Sequence, residues 1–320
     1  MQAYIEHLKK IEQEIKKNPF IGSPQNLYDP LNYIINLGGK RIRPVLALMG
    51  CELFSGNIEK AIPSAMAVEV FHNFSLIHDD IMDKAPVRRG QATVHEKWDT
   101  NLAILSGDLM LVKAYELLVK SEAKYLPELI AIFNQTAAQV CDGQQMDMNF
   151  ETQNEVTEND YLEMIRLKTS VLLGCSLKMG AITANANNEN ADKIYELGVN
   201  MGMGFQLMDD YLDAFGTSEL VGKQPGGDIL ANKKTIMVIK TMQKEETNLT
   251  ALLANKNLDE TSKIENVKAL FKKTGSDVYL RELSEKYFTL ASQNLKDLEV
   301  EESKKEELNE LLIYLHHRSF

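Results

Sequence analysis

Proline is so unevenly placed in this chain that most of the fold class follows from its distribution. Pro19, Pro24, Pro30, Pro44, Pro63, Pro86 and Pro127 fall in the first part, and only Pro225 follows. Proline removes a backbone donor and clashes with the preceding turn, so long stretches without it leave helices uninterrupted. Within those stretches apolar residues recur at intervals of three and four, the repeat of one helix face. From Tyr161 the pattern runs through Leu162, Ile165, Val171 and Leu172, and Thr157 with Asp160 has the spacing of a capping box. Ser303 with Glu306 repeats that spacing ahead of Leu308, Leu311, Leu312 and Leu315. Alternating runs bounded by Asn-Gly or Asp-Gly are missing, so no strand is predicted. The expected fold is all-α, one large helical bundle with polar turns near residues 151–160, 187–192 and 253–263. No linker rich in Pro, Gly or Ser cuts it, which predicts a single domain over residues 1–320.

The 320 residues include 35 Lys or Arg and 46 Asp or Glu, a formal net charge of −11. Nucleic-acid binding demands a basic face, so this balance argues against a nucleic-acid partner. Cys51, Cys141 and Cys175 are an odd number at wide spacings, neither a closed disulfide framework nor a zinc pattern. The opening MQAYIEHLKKIEQEIKK has no apolar signal core, and no run approaches the ~18 residues of a spanning helix. A cytoplasmic protein without an integral membrane segment is expected.

The most informative segment is AVEVFHNFSLIHDDIMDKAPVRRG, Ala67 to Gly90. On a helix Asp79 and Asp83 sit one turn apart on one face, Asp80 lies about 100° round, and Glu69, His72 and Leu76 continue the stripe. Pro86 ends the helix, so three carboxylates crowd its last turn. A second D-D-x-x-D, formed by Asp209, Asp210 and Asp213, closes the apolar run MGMGFQLMDDYLDAFG before Gly216. Ile77, Ile81, Met82, Leu207, Met208 and Leu212 make both helices too apolar for solvated surface helices. An oxygen-only donor set selects a hard cation, and Mg²⁺ takes one or two carboxylates together with substrate phosphates.

Positive charge accompanies both clusters. GGKRIRP carries Lys40, Arg41 and Arg43, Arg88 and Arg89 follow the first cluster, and GKQPGGDILANKKT after the second carries Lys223, Asp228, Lys233, Lys234 and Thr235. Arginine forks and lysine point charges suit diphosphate oxygens.

With these motifs the chain resembles the trans-isoprenyl diphosphate synthases of the polyprenyl synthetase family over nearly its full length. The resemblance rests on GGKRIRP, EVFHNFSLIHDDIMD, the RRG after it, GDLM from Gly107, GQQMD from Gly143, Lys168-Thr169, FQLMDDYLD and the GK…GGD…KKT segment. It implies a bundle of the isoprenoid synthase type with a central apolar cavity, and condensation of isopentenyl diphosphate with an allylic diphosphate. Three Mg²⁺ held by the two clusters would grip the allylic diphosphate and draw it off, leaving a cation that the second substrate attacks before a proton is lost. Carried over residue by residue, Asp79, Asp80 and Asp83 resemble the first metal cluster, and Asp209, Asp210 and Asp213 the second. Lys40, Arg43, His72 and Arg89 match the isopentenyl diphosphate pocket, and Arg88, Lys168, Lys223 and Lys233 the groups that hold the allylic diphosphate. Thr169 and Gln206 lie where the family lines the developing cation, so Lys168, Thr169 and Gln206 are the expected catalytic residues. Asp228 is an expected support of the second cluster, and Gln144 with Asp147 of the first. His78 points away from Asp79 and reads as a packed helix histidine.

Phe74 lies about 7.5 Å of helix rise before Asp79, and Phe71 about 12 Å, where a ring would floor the pocket. An aromatic at Phe74 beside the small Ser75, with no insertion in the motif, is similar to the geranylgeranyl (C20) type, with farnesyl (C15) as alternative. A class I terpene cyclase and a non-catalytic subunit of a heteromeric prenyltransferase are the remaining alternatives. Against the cyclase stand the second D-D-x-x-D and GGKRIRP, and against the subunit two intact clusters. The resemblance also implies a homodimer, and Arg318 near the C-terminus is a weaker candidate for closing the site. Three Mg²⁺ would bring the net charge of −11 to −5, so diphosphate binding is expected to depend on the metal.

Overall fold

The proline-poor stretches fold as helices in the computed structural model, which describes residues 1–217, 225–244, 248–255 and 257–317. The chain divides into two units. The first is Met1–Gln135, Leu172–Tyr195 and Asp297–Leu311, and the second is Thr136–Val171, Glu196–Lys296 and the chain from Leu312. In chain order the first helices are α1 (Gln2–Lys17), α2 (Gln25–Asn36), α3 (Ile42–Leu53) and α4 (Ile58–Met82), followed by a hairpin of β1 (Val87–Arg88) and β2 (Gln91–Ala92). Next come α5 (Val94–Lys97), α6 (Thr100–Leu118), α7 (Leu126–Thr152), α8 (Glu158–Ile165), a π-helical turn (Arg166–Ser170), α9 (Val171–Thr183) and α10 (Asn188–Phe215). The remainder is α11 (Gly227–Leu230), α12 (Ile236–Met242), α13 (Leu249–Ala254), α14 (Glu260–Thr274), α15 (Ser276–Lys296) and α16 (Glu302–His317). Among the described residues no helix is long and apolar enough to cross a membrane.

In the first unit α4 is the central element. Asn57 starts it by accepting from the Glu59 N–H at 3.0 Å, and Glu59 places a negative charge in the first turn. Ala61, Ala65, Val68, Val70, Phe71 and Ile77 are buried on all sides of this helix, the pattern of one surrounded by protein. α6 packs on its C-terminal half, where His78 Nε2 lies 3.2 Å from the Ile104 carbonyl, so His78 is the packed histidine that its helical position predicts.

In the second unit the capping box of α8 forms as predicted. Thr157 Oγ1 accepts from the Asp160 N–H at 3.2 Å, and Asp160 Oδ2 accepts from the Thr157 N–H at 3.0 Å. Glu158 then ties three helices, accepting from Tyr279 Oη of α15 at 2.5 Å and pairing with Lys240 of α12 at 2.5 Å. Lys234 donates to the carbonyls of Phe150 and Gln153, capping the carbonyl end of α7 with a positive charge.

Three expectations shift. The hairpin is strand where none was predicted, because its turn is Arg-Gly rather than Asn-Gly. The α9–α10 connection falls at residues 184–187, since Asn188 already begins a helix. α16 starts at Glu302, which puts Ser303 and Glu306 inside it rather than at its cap. Thr157→Ala is expected to lower stability by about 1 kcal/mol through loss of the α8 cap, read as a lower urea midpoint at unchanged slope.

Candidate active site

The first aspartate cluster occupies the last turn of α4. Asp79 is half-buried, Asp80 is 1% exposed and Asp83 is the exposed C-cap, its N–H bonded to the Asp79 carbonyl at 2.8 Å. Arg88 grips Asp80 through both oxygens, with Nε at 2.9 and 2.8 Å and Nη2 at 2.7 Å. Geometry of this kind is strong because the planar fork matches the carboxylate. The hairpin delivers that arginine. Val87 pairs with Ala92 and Arg88 with Gln91, leaving Arg89 (φ 51°) and Gly90 (φ 75°) as the two turn residues, both left-handed as a type I′ turn requires. Glycine carries the second position without strain, while Arg89 costs about 1 kcal/mol.

That strained turn aims Arg89 back at the glycine pair, where Nη1 donates to the Gly38 carbonyl. A Cβ on Gly39 would lie 2.9 Å from the flexible Arg89 guanidinium, but it is the backbone, φ 135°, that calls for glycine at the second position of GGKRIRP. Arg43, half-buried on α3, contacts His72 of α4, Nη1 to Nε2 at 3.2 Å. Burial, opposed by Glu69 and reinforced by Arg89, lowers Arg43 to about 10, which leaves it protonated. Burial, and after it Arg43, Arg89, Arg88 and Arg41, pushes His72 well below its usual 6.5. The ring is therefore neutral, with Nε2 accepting from Arg43. Lys40 is exposed at the same loop, its carbonyl accepting from Tyr4 Oη at 2.5 Å. Lys40, Arg43, His72 and Arg89 all belong to this one neighbourhood of the first unit.

The second cluster ends α10. Asp210, 5% exposed, accepts from Tyr161 Oη at 2.5 Å and from Gln206 Nε2 at 3.0 Å, and Gln206 Oε1 in turn accepts from Thr169 Oγ1 at 3.2 Å. Burial and then Asp228 push Asp210 up to about 8, against the two hydrogen bonds that favour its charge. Asp213, 3% exposed, accepts from the Asp228 N–H at 2.9 Å, so the GGD loop supports the cluster through its backbone. Lys233 lies 3.7 Å from Asp228. Lys168 pairs with Asp147 at 2.6 Å, which holds the lysine in place on its turn. Lys223 and Arg318 lie outside the described residues.

Lys168 and Thr169 stand on the π-helical turn, a widened geometry that recurs at functional sites. Two glycines admit the bulge: a Cβ on Gly143 of α7 would lie 2.3 Å from Lys168 N, and one on Gly202 of α10 would lie 2.7 Å from Ser170 Cα. Ile165 and Leu172 keep the seven-residue spacing of a regular helix, so the apolar pattern conceals the turn.

Phe74 and Phe71 belong to a ladder of rings. Phe74 meets His78 at 4.8 Å and Phe71 at 5.4 Å, Phe71 meets Phe133 of α7 at 5.3 Å, and Phe133 meets Tyr115 of α6 at 5.2 Å. Ser75 is half-buried beside them, donating to the His72 carbonyl at 2.9 Å. Phe133, Tyr115 and the Asp210 partner Tyr161 were not singled out by the sequence motifs. Tyr161 opens a recognised apolar face, while Phe133 and Tyr115 carry no local signal.

The donor chemistry of the two clusters fits a hard cation. Asp80 is engaged by Arg88, and Asp210 by Tyr161 and Gln206, so each middle aspartate holds protein groups. Among the described residues no three His, Cys, Asp or Glu side chains converge as a preformed metal site. Mg²⁺ takes one or two carboxylates and completes its shell with water and substrate phosphate.

Residues 24–274 match the Polyprenyl synthetase family, a span that includes both clusters. The chain belongs to the polyprenyl synthetase family. Polyprenyl synthetases are prenyltransferases, and this chain is one. It is 42% identical over 223 residues to a geranylgeranyl diphosphate synthase of Methanosarcina mazei, covering 69% of each chain. A crystal structure of a geranylgeranyl pyrophosphate synthase superposes with a TM-score of 0.95 at 42% identity, covering 99% of each chain. A geranylgeranyl pyrophosphate synthase from Corynebacterium glutamicum, complexed with calcium and isoprenyl diphosphate, is 26% identical with a TM-score of 0.83 and covers 99% of this chain and 96% of its own. For this polyprenyl synthetase an NMR titration of the substrate-free protein, with His72→Gln for assignment, is expected to keep the His72 ring neutral through pH 6.5. Protonation near 6.5 would mean that the ring is not buried among the arginines as the structure has it.

Proposed function

We propose that this polyprenyl synthetase makes geranylgeranyl diphosphate, condensing isopentenyl diphosphate with allylic diphosphates. The observation that carries the reading is the turn of carboxylates at the end of α4, with a floor of rings on the same helix. The relatives named for that product support it, and the family match takes in residues of both units, in keeping with one catalytic domain over residues 1–320.

Asp79, Asp83, Asp209 and Asp213 are the groups assigned to Mg²⁺, while Asp80 and Asp210 orient Arg88, Tyr161 and Gln206. The Corynebacterium complex with calcium supports a divalent cation of this kind. When bound, Mg²⁺ supplies stabilisation of the negative charge that grows on the departing diphosphate. The protein adds fixed positive charge in the same sense. Arg88, Lys168 and Lys233 hold the allylic diphosphate, and Lys40, Arg43, His72 and Arg89 hold isopentenyl diphosphate. As the allylic carbon–oxygen bond breaks, its electron pair leaves with the diphosphate. The Thr169 hydroxyl and Gln206 amide present dipoles to the cation that remains. The double bond of isopentenyl diphosphate then attacks, and the new cation loses a proton to the departed diphosphate. An apolar surrounding keeps water from quenching either cation.

Phe74, backed by Phe71, stops the growing tail, with Ser75 leaving room beside it. α6 and its C-cap supply a surface for a second copy, since Leu105, Val112 and Val119 are 56%, 53% and 56% exposed at seven-residue intervals. Such a stripe supports the homodimer, and Val112→Asp is expected to shift the protein toward a monomer in sedimentation velocity.

Purified protein with Mg²⁺, isopentenyl diphosphate and an allylic primer is expected to yield a C20 diphosphate, and none when the metal is chelated. A C15 product would favour the farnesyl alternative, a cyclic hydrocarbon the cyclase, and no elongation would end the synthase reading. Phe74→Ala is expected to lengthen the products, whereas an unchanged distribution would remove the floor role.

A further inference from the structure

Arg41 stands between Lys40 and Arg43 in the chain, yet it turns inward and is 3% exposed. Its backbone is left-handed, φ 49°, at the N-cap of α3, a strained setting for a long side chain. Three bonds hold the guanidinium there. Nε donates to Glu12 Oε1 at 2.8 Å, Nη1 to Glu69 Oε1 at 2.7 Å and Nη2 to the Ile35 carbonyl. Glu69, 2% exposed on α4, also accepts from Asn73 Nδ2 at 3.1 Å.

A buried ion pair adds little stability over a well-packed apolar pair, because both charges must be desolvated. Its position offers another use. The anchor fixes the N-cap of α3, with Lys40 the loop residue before it and Arg43 in the first turn after it. Desolvation disfavours the charges on Arg43 and Arg89, and Glu69 is the largest interaction opposing it at both. One buried carboxylate thus pins the loop through Arg41 and offsets the repulsion among the cations above it.

We propose that Arg41 and Glu69 are positioning residues of the isopentenyl diphosphate pocket, a buried pair that keeps Lys40, Arg43 and Arg89 preorganised without touching the substrate. The proposal rests on the assignment of Lys40, Arg43, His72 and Arg89 to that pocket. Steady-state kinetics on the full chain, varying each substrate separately, test it with Glu69→Gln, Arg41→Lys and the control Lys40→Ala. Both positioning variants are expected to raise KM for isopentenyl diphosphate roughly tenfold, the loss of about one charged hydrogen bond, with kcat and the allylic KM within about twofold. Arg41→Lys keeps the charge and loses the three-way fork, so it decides the matter even where Glu69→Gln does not fold. An unchanged KM for isopentenyl diphosphate in Arg41→Lys, or a parallel loss for both substrates, would overturn the positioning role if Lys40→Ala still raises that KM. If Lys40→Ala also leaves it unchanged, the pocket assignment itself fails.

Discussion

Carboxylates gathered at the carboxyl end of an apolar helix oppose both the helix dipole and one another, and this chain gathers them on α4 and again on α10. The dipole costs about 0.3 to 1 kcal/mol per charge, and a one-turn pair adds roughly 0.2 to 0.5. Much of the surrounding structure answers that repulsion. In the first cluster a full opposite charge does so, because the hairpin brings Arg88 onto both oxygens of Asp80. The second cluster uses neutral donors instead, Tyr161 and Gln206 on Asp210 and a backbone N–H on Asp213. Neutral donors compensate less than a full charge, and burial with Asp228 nearby pushes Asp210 up to about 8 against them. The two clusters share a spacing and differ in how their middle member is held.

The arginine cluster of the first unit carries the opposite tension. Arg43, Arg89, Arg41 and Arg88 lie near enough to disfavour one another's charge. Two features reduce the repulsion. His72 stays neutral, accepting from Arg43 instead of adding a further charge. Glu69 lies buried beneath them on the helix that carries Asp79, so one element bears the counter-charge for the pocket and the carboxylates assigned to the metal.

The features legible in the sequence were those written in local spacing. The D-D-x-x-D repeats end their helices as read, Thr157 and Asp160 form their capping box, and His78 packs as its angle on the helix requires. What escaped is set by geometry across the fold. Arg89-Gly90 makes a type I′ turn because a short hairpin demands two left-handed residues, a role usually taken by Asn-Gly. The π-helical turn depends on glycines from α7 and α10 that leave room for it, while the apolar repeat through Ile165 and Leu172 continues undisturbed. Arg41 reads as one more cation of GGKRIRP, and only the left-handed backbone turns it from the pocket into the core.

The ring ladder bears on how sharply a product length can be held. Phe74 contacts Phe71 and His78, and an aromatic contact of this kind contributes about 0.5 to 1.5 kcal/mol beyond the area it buries. Swinging Phe74 aside to admit one more isoprene unit sacrifices both contacts, about 1 to 3 kcal/mol, which disfavours the open state roughly 5- to 150-fold. That factor yields a dominant length with a minor longer fraction rather than an absolute stop. Phe71 behind it is better held, being 1% exposed and braced by Phe133, which leans on Tyr115. If Phe74 is the floor, removing it transfers the tail to a second, stiffer ring rather than opening an unlimited channel. On the proposed floor role, product length is graded by successive rings, and the later ones are anchored on α6 and α7, outside the motif that reveals the first.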